Sequence, residues 1–403
     1  MRKILSIVLA IIIFLDVVAI SVLFIDRKKS DPAIDEKYGY GMNAPDDGAG
    51  DGGNEEPAEL FTKVSVTAVG DNLIHDAIYE QAAARTSDGY DFEYAYQNIR
   101  DKIESKDLAI LNQETIISTE HNVSSYPQFN SPTELGDEML DIGFDVFNIA
   151  TNHSIDCGEK GLISAIEFWK SKNVITTGAY LNEADYQTIP VTEVKGMKIA
   201  YVGFTEQTNG LKLPSDTDVI LMTTADEERL MQRVKDADAI ADFVIVNAHW
   251  GVEYTHEPND TQRELAKKLG ESGADIIIGT HPHVIQPVEF IANSDGSQTL
   301  VAYSLGNFIS AQNRGPRMLG GMLNFELVKN NTTGELTVEN VTFEGVVTHY
   351  GYGYTNIRVY PLEGYTDELA SKHGVLSKTS SFSREYLDDI LEDVIDDRFL
   401  VKN

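Results

Sequence analysis

Asp275-Ile-Ile-Ile-Gly-Thr-His-Pro-His283 decides how this chain is read: an apolar β-branched run stops on glycine and delivers two histidines where it ends. A short apolar run bounded by glycine and proline marks a strand buried on both faces, as in a parallel sheet. In an extended chain, His281 and His283 project to the same side. Two further runs end in the same manner. Phe243-Val-Ile-Val-Asn-Ala248 leads into His249-Trp250-Gly251, and Asp145-Val-Phe-Asn-Ile-Ala150 leads into Asn152-His153. Histidine at the carboxyl ends of several strands is how α/β folds gather imidazoles on one crevice. Neutral imidazole is also the commonest protein ligand of a transition metal. A metal site with two ions is the first expectation.

Outward from these runs, strand and helix signals alternate. Val64, Val66 and Ala68 mark a strand stopping at Gly70-Asp71, and Leu108–Leu111 ends in Asn112-Gln-Glu114. Met197–Phe204 reads as another strand. Leu162, Ile166 and Trp169 recur at helical spacing within 159–172, and helices are expected over 224–241 and 260–271. Strands over 300–304, 322–328 and 335–343 follow without intervening helices. This order predicts a mixed sheet with helices on its faces, its last strands antiparallel.

The chain has 403 residues, enough for a large core, and a formal charge of −32 from 64 acidic and 32 basic residues. No Lys/Arg stripe is available to neutralise a polyphosphate backbone, which excludes nucleic acid as a partner. The lone cysteine, Cys157, excludes an intramolecular disulfide and a cysteine-rich zinc site. Residues 1–3 read as a cytoplasmic stub and 4–25 as an uncleaved transmembrane signal anchor, apolar but for Ser6, Asp16 and Ser21. An acid at mid-membrane costs about 2.5–3.5 kcal/mol on insertion scales, so Asp16 is expected to face a partner helix. Residues 26–62 form an acidic, Gly- and Pro-rich flexible linker. The site-bearing domain spans 63–350, and an acidic helical extension, with a helix over 384–400, fills 351–403. A single-pass membrane protein with its domain outside the cytoplasm is expected.

Candidate ligands follow the strands in order: Asp71, Asn112, Glu114, Asn152, His153, His249, His281 and His283. Each alone is ordinary, since an aspartate after a strand commonly caps a turn. Together they place carboxylate, amide oxygen and imidazole at five strand ends. That mixture suits one or two divalent ions of Mn, Zn or Fe and not calcium, which takes oxygens alone.

The motifs Gly70-Asp71, Asn152-His153, His249 and Gly279-Thr-His-Pro-His283 resemble, in their order, those of calcineurin-like metallophosphoesterases. With Asn112-Gln-Glu-Thr115, Thr151-Asn-His-Ser-Ile-Asp156, His249-Trp-Gly-Val-Glu-Tyr254 and Tyr303-Ser-Leu-Gly-Asn-Phe308, the chain is similar to the CapA family of poly-γ-glutamate capsule synthesis over about residues 63–310. The resemblance implies a four-layer α/β/β/α metallophosphoesterase-like sandwich with metals above the sheets. It implies that Asp71 and His283 bind one ion, that Asn152, His249 and His281 bind the second, and that Glu114 bridges them. His153 would protonate the leaving group, oriented by Asp156, while the metals polarise the scissile group and lower the pKa of water. Two departures stand out. Leu73 occupies the position where the phosphoesterase pattern has histidine, with His75 two residues on as a substitute, and the bridging residue is Glu in place of Asp.

Arg314 and Arg317 bracket Gly315-Pro316 and could fork onto carboxylate or phosphate. His75, Asn112, Trp250 and Glu253 join them as candidate substrate contacts, although packing is the plainer role for Trp250. Ser304 lacks a glycine elbow and is not a nucleophile. Three readings stay open: a metal-dependent hydrolase or transferase acting on poly-γ-glutamate or its attachment, an extracytoplasmic phosphoesterase, and a non-catalytic scaffold. Capsule synthase or export membrane proteins are the expected partners.

Overall fold

Each apolar run contains a strand, which ends within a few residues of the polar tail. The computed structural model describes residues 60–401, so the stub, the anchor and nearly all of the linker lie outside the described residues. No helix among the described residues is long and apolar enough to cross a membrane. In chain order the strands are β1 (Phe61–Asn72), β2 (Leu108–Asn112), β3 (Val146–Asn148), β4 (Ile175–Thr177), β5 (Ala179–Tyr180), β6 (Val191–Val194), β7 (Met197–Thr205) and β8 (Ile220–Leu221). They continue as β9 (Phe243–His249), β10 (Ile276–Thr280), β11 (Val288–Ala292), β12 (Gln298–Ala302), β13 (Asn307–Ile309), β14 (Leu319–Asn330), β15 (Leu336–Gly351) and β16 (Thr355–Pro361).

The fold is mixed α/β, as expected. One large sheet runs β16-β15-β14-β1-β2-β3-β4, with β13 also on β1; a second runs β11-β12-β10-β9-β7-β6; and β5 pairs with β8 in a two-stranded sheet. Strands β1 to β4 pair in parallel, as do β7, β9, β10 and β12, whereas β14, β15 and β16 are antiparallel. Alternation along β7 shows how the sheets are covered. Ile199 and Tyr201 join a core cluster with Val66, Ile110 and Val146 of the first sheet. Ala200, Val202 and Phe204 join another, with Leu230 and Val234 of the helix Glu227–Asp238 and Leu269 of Asp260–Glu271.

Burial, more than capping, places the helices. The helix Gly158–Ser171 has no side-chain cap, yet buries Leu162, Ile166 and Trp169, and Trp169 stacks on Phe147 with centroids 4.3 Å apart. Each such side chain contributes about 1.5–3 kcal/mol, against about 1 kcal/mol for a missing cap. Asp260–Glu271 adds a capping box between Asn259 and Gln262.

Residue 350, the expected end of the site-bearing domain, lies inside β15, and β16 continues the same sheet. The expected terminal helix over 384–400 is Arg384–Val394. Beyond it Ile395 and Phe399 are buried, and the Phe343 amide donates to the Phe399 carbonyl at 2.7 Å. Burying those two side chains takes an extended return, so the helix stops at Val394.

Two motif glycines have a packing reason. A Cβ on Gly70 would overlap the Gly306 carbonyl oxygen, and one on Gly279 would overlap that of Tyr303. Both crossings bring a strand carrying site residues against the 303–307 turn, and the Asp71 amide donates to Gly306 O at 2.8 Å. Gly70→Ala should therefore destabilise the chain by about 1–3 kcal/mol, whereas Gly364→Ala, with open space at its Cβ, should be nearly silent. Thermal melts of the two variants check this; equal melting temperatures would show that the close approach carries no stability.

Candidate metal centre

Parallel pairing sets the candidate ligands side by side at the carboxyl ends of their strands. Asp71 on β1 is in register with Asn112 on β2, and His249 on β9 with Thr280 on β10. Asn152 and His153 occupy the turn after β3; His281 and His283 occupy the turn after β10. That second turn is strained. His281 (φ +96°), His283 (φ +59°) and the adjoining Tyr254 (φ +68°) all hold positive φ, which costs a non-glycine residue about 1–2 kcal/mol. Such strain persists where surrounding bonds over-determine it. Here the His281 amide donates to both Asp71 carboxylate oxygens at 3.3 Å, and the Tyr254 amide donates to Pro282 O at 2.7 Å.

Two groups of side chains can each hold an ion. Asp71, Glu114 and His283 form one; Glu114, His249 and His281 form the other, with the donor atoms of each group within 4.8 Å of one another. Glu114 belongs to both. Its Oε1 lies 3.7 Å from His283 Nε2 and 4.0 Å from His249 Nε2. Asn152 Oδ1 lies 2.8 Å from the same His249 Nε2, facing the second group. His249 Nδ1 rests 3.0 Å from the Thr280 hydroxyl, a partner that fixes the ring and leaves Nε2 for a ligand bond.

The electrostatics call for cations. Asp71 and Glu114 are fully buried, and both Glu114 oxygens, like His281 Nδ1, lack any hydrogen-bond partner. An orphaned buried carboxylate is costly unless something pairs with it. Burial, then the charge of Asp71, pushes the Glu114 pKa well above the carboxylate range. Burial, then the neighbouring imidazoles, holds His249 well below the usual histidine value and His281 down at about 4. The imidazoles are thus neutral and ready to donate lone pairs. All donors are oxygen or nitrogen, which fits Mn, Zn or Fe.

The other expected residues separate by position. His153 Nδ1 lies 2.7 Å from Asp156 Oδ2, which also accepts from the Phe129 amide, and the His153 ring meets Phe129 edge-on at 4.7 Å. Asn112 lies beneath the ligands: its amide donates to Asp71 Oδ1 at 2.9 Å and accepts from Asn148 at 2.8 Å. His75 belongs to neither ligand group; its ring stands against Phe129 at 5.3 Å, and burial lowers its pKa to about 4. Leu73 is buried apolar filling. Trp250 packs in the second core and donates to Tyr303 O at 2.9 Å. Glu253 is half-buried, and its charge acts on Glu114 and His281. Arg317 lies over the Tyr254 ring, whereas Arg314 is exposed and reaches the Lys378 carbonyl at 3.4 Å.

Residues not singled out from the sequence complete the surroundings. Gln207 Nε2 lies 3.3 Å from His281 Nε2, and Asn209 donates to the Asn152 carbonyl at 3.2 Å. Both follow β7, so the same rule of polar residues after an apolar strand would have found them. Asn307 Oδ1 lies 3.1 Å from His283 Nδ1.

Glu114 yields a sign test. Its folded pKa is raised, so its contribution to stability is lost as pH rises through that value. Metal-free Glu114→Gln should melt above the metal-free wild type at pH 8, with the gap closing toward pH 5. Mn²⁺ or Zn²⁺ at 100 times its Kd should stabilise only the wild type, by about 2.7 kcal/mol. Scanning fluorimetry with and without chelator reads both effects; a wild type indifferent to every divalent ion would remove Glu114 from a metal centre.

Comparison with known proteins follows this geometry. Residues 65–312 match the sequence model of the family described as bacterial capsule synthesis protein PGA_cap. The PGA biosynthesis protein CapA of Bacillus subtilis (strain 168) is 36% identical over 196 residues, covering 48% of this chain and 50% of that one. The capsule biosynthesis protein CapA of Bacillus anthracis is 29% identical over 287 residues, 67% of this chain and 65% of its own. The match thus spans half of the first relative's length and just under two thirds of the second's. A solved structure, a novel phosphatase from Mycoplasma pneumoniae, superposes with a TM-score of 0.43 at 13% identity over 72% of this chain and 95% of that one. The matched segment contains every ligand candidate from Asp71 to His283, and the chain belongs to the bacterial capsule synthesis protein PGA_cap family.

Proposed function

We propose that this chain is a membrane-anchored, extracytoplasmic component of poly-γ-glutamate capsule synthesis or export, with a divalent-metal-dependent hydrolase or transferase centre acting on the polymer or its attachment. The observation that carries the metal is Glu114: a fully buried carboxylate, without a hydrogen-bond partner, shared by two groups of buried donors. The apolar run over residues 4–25 supports the anchor. Two sheets sharing one core, with helices packed outside, support the four-layer metallophosphoesterase-like order. Synthase or export proteins of the membrane are the partners.

Asp71, Glu114 and His283 would hold one ion; Glu114, Asn152, His249 and His281 would hold the other. A bound divalent ion supplies Lewis acidity for the scissile group and lowers the pKa of water. The remaining work belongs to side chains. His153, clamped through Nδ1 by Asp156, presents Nε2 to the substrate and gives its proton to the leaving group. The buried Asp156 carboxylate stabilises the imidazolium before that transfer, and Phe129 fixes the ring plane. Asn112 keeps the Asp71 carboxylate aimed at the centre.

His153→Ala should lower turnover of γ-glutamyl oligomers by about 10²–10⁴-fold with metal content unchanged, whereas His281→Ala should lose metal as well as activity. Elemental analysis beside product chromatography reads both. Full turnover by His153→Ala overturns the proton-donor role. A metal-loaded wild type that leaves γ-glutamyl oligomers intact, and cleaves phosphate esters or nothing, overturns the polymer reading.

A further inference from the structure

At the rim of the centre, His283, Tyr254 and Arg317 are joined ring to ring. Tyr254 stacks on His283 with centroids 5.8 Å apart and planes 30° from parallel, and the Arg317 guanidinium carbon lies 3.3 Å from the Tyr254 ring centroid. The main chain makes a second link. Asn307, whose Oδ1 faces His283 Nδ1, donates through Nδ2 to the Arg317 carbonyl at 3.0 Å. The short 3₁₀ turn Gly315–Met318 is anchored by the fully buried Met318. Arg317 is thus held by both backbone and side chain, with the Tyr254 ring as its link to a candidate metal ligand.

Its charge has no internal partner. Among the described residues, no carboxylate lies within ion-pair distance of the Arg317 guanidinium; the acid whose charge acts on it is Glu253, from further away. Tyr254 is 44% exposed, so this shelf faces solvent at the approach to the centre. A guanidinium is a planar fork of donors matched to a carboxylate, and stacking on an aromatic ring fixes the plane of that fork. Arg314 lacks this setting, since it points to the Lys378 carbonyl.

We propose that Arg317, laid over Tyr254, is the substrate-selecting group: it takes a free carboxylate of the γ-glutamyl chain and seats the adjoining γ-amide or attachment bond at the centre. The proposal rests on the functional reading above and names the recognition element of that site. It also answers a difficulty of charge. A chain of net charge −32 repels a polyanion, and a stacked cation within a Debye length, roughly 8 Å in physiological salt, offsets that repulsion locally.

The test is binding of a fluorescent γ-glutamyl decamer, and of its α-methyl ester, to the full metal-loaded chain in detergent, with inorganic phosphate as competitor. Arg317→Ala should weaken decamer binding by about 10–100-fold while metal content, melting temperature and ester binding stay at wild-type values. Arg317→Lys keeps the aliphatic stem and the charge but not the fork, and should recover only part of the affinity; it decides the matter if the alanine variant melts early. Wild-type decamer affinity in both variants, or equal wild-type affinity for acid and ester, overturns the proposal and leaves the functional reading standing. A wild type that binds phosphate but no decamer overturns both.

Discussion

Everything around the centre depends on one electrostatic constraint: two carboxylates and three imidazoles lie buried together, with both Glu114 oxygens and His281 Nδ1 lacking a hydrogen-bond partner. Asp71 is partly satisfied by Asn112 and the His281 amide, whereas Glu114 is not satisfied at all. No folded chain gains stability from such an arrangement by itself. The strained turn of His281 and His283 adds to the cost. A large hydrophobic core shared by two sheets provides the rigidity that holds these groups in place. Divalent cations between the carboxylates and the imidazoles would turn the whole arrangement favourable.

The second constraint is steric. The two sheets bring their ligands together only because strands approach the 303–307 turn closely at Gly70 and Gly279. Glycine at those points lets Asp71 hydrogen-bond to Gly306 and lets Asn307 reach His283. The motif glycines and the motif ligands therefore belong to one geometric requirement, with the ligands at the carboxyl ends of parallel strands.

Much of this was legible in the sequence because strand periodicity and polar strand ends are local signals. The rule gathered Asp71, Glu114, Asn152, His249, His281 and His283 into one place, and it placed His153 three residues from Asp156. Residues whose role depends on long-range packing were less legible. His75 is near the centre in sequence, but its ring is captured by Phe129 from a distant loop. Arg314 and Arg317 look equivalent until Tyr254, brought in by the turn after β9, stacks on only one of them. Gln207 and Asn209 obey the same strand-end rule, and their amides touch His281 and Asn152. The reach of β15 and β16 past residue 350 follows from pairing across the sheet, which no local pattern encodes.

The central claim is that Glu114 sits between two ions. Its most direct test is anomalous diffraction from crystals grown with Mn²⁺, recorded at an energy where manganese scatters anomalously. The account predicts two peaks flanking the Glu114 carboxylate, one bounded by Asp71 and His283 and the other by Asn152, His249 and His281. A map without anomalous density at Glu114 would contradict it.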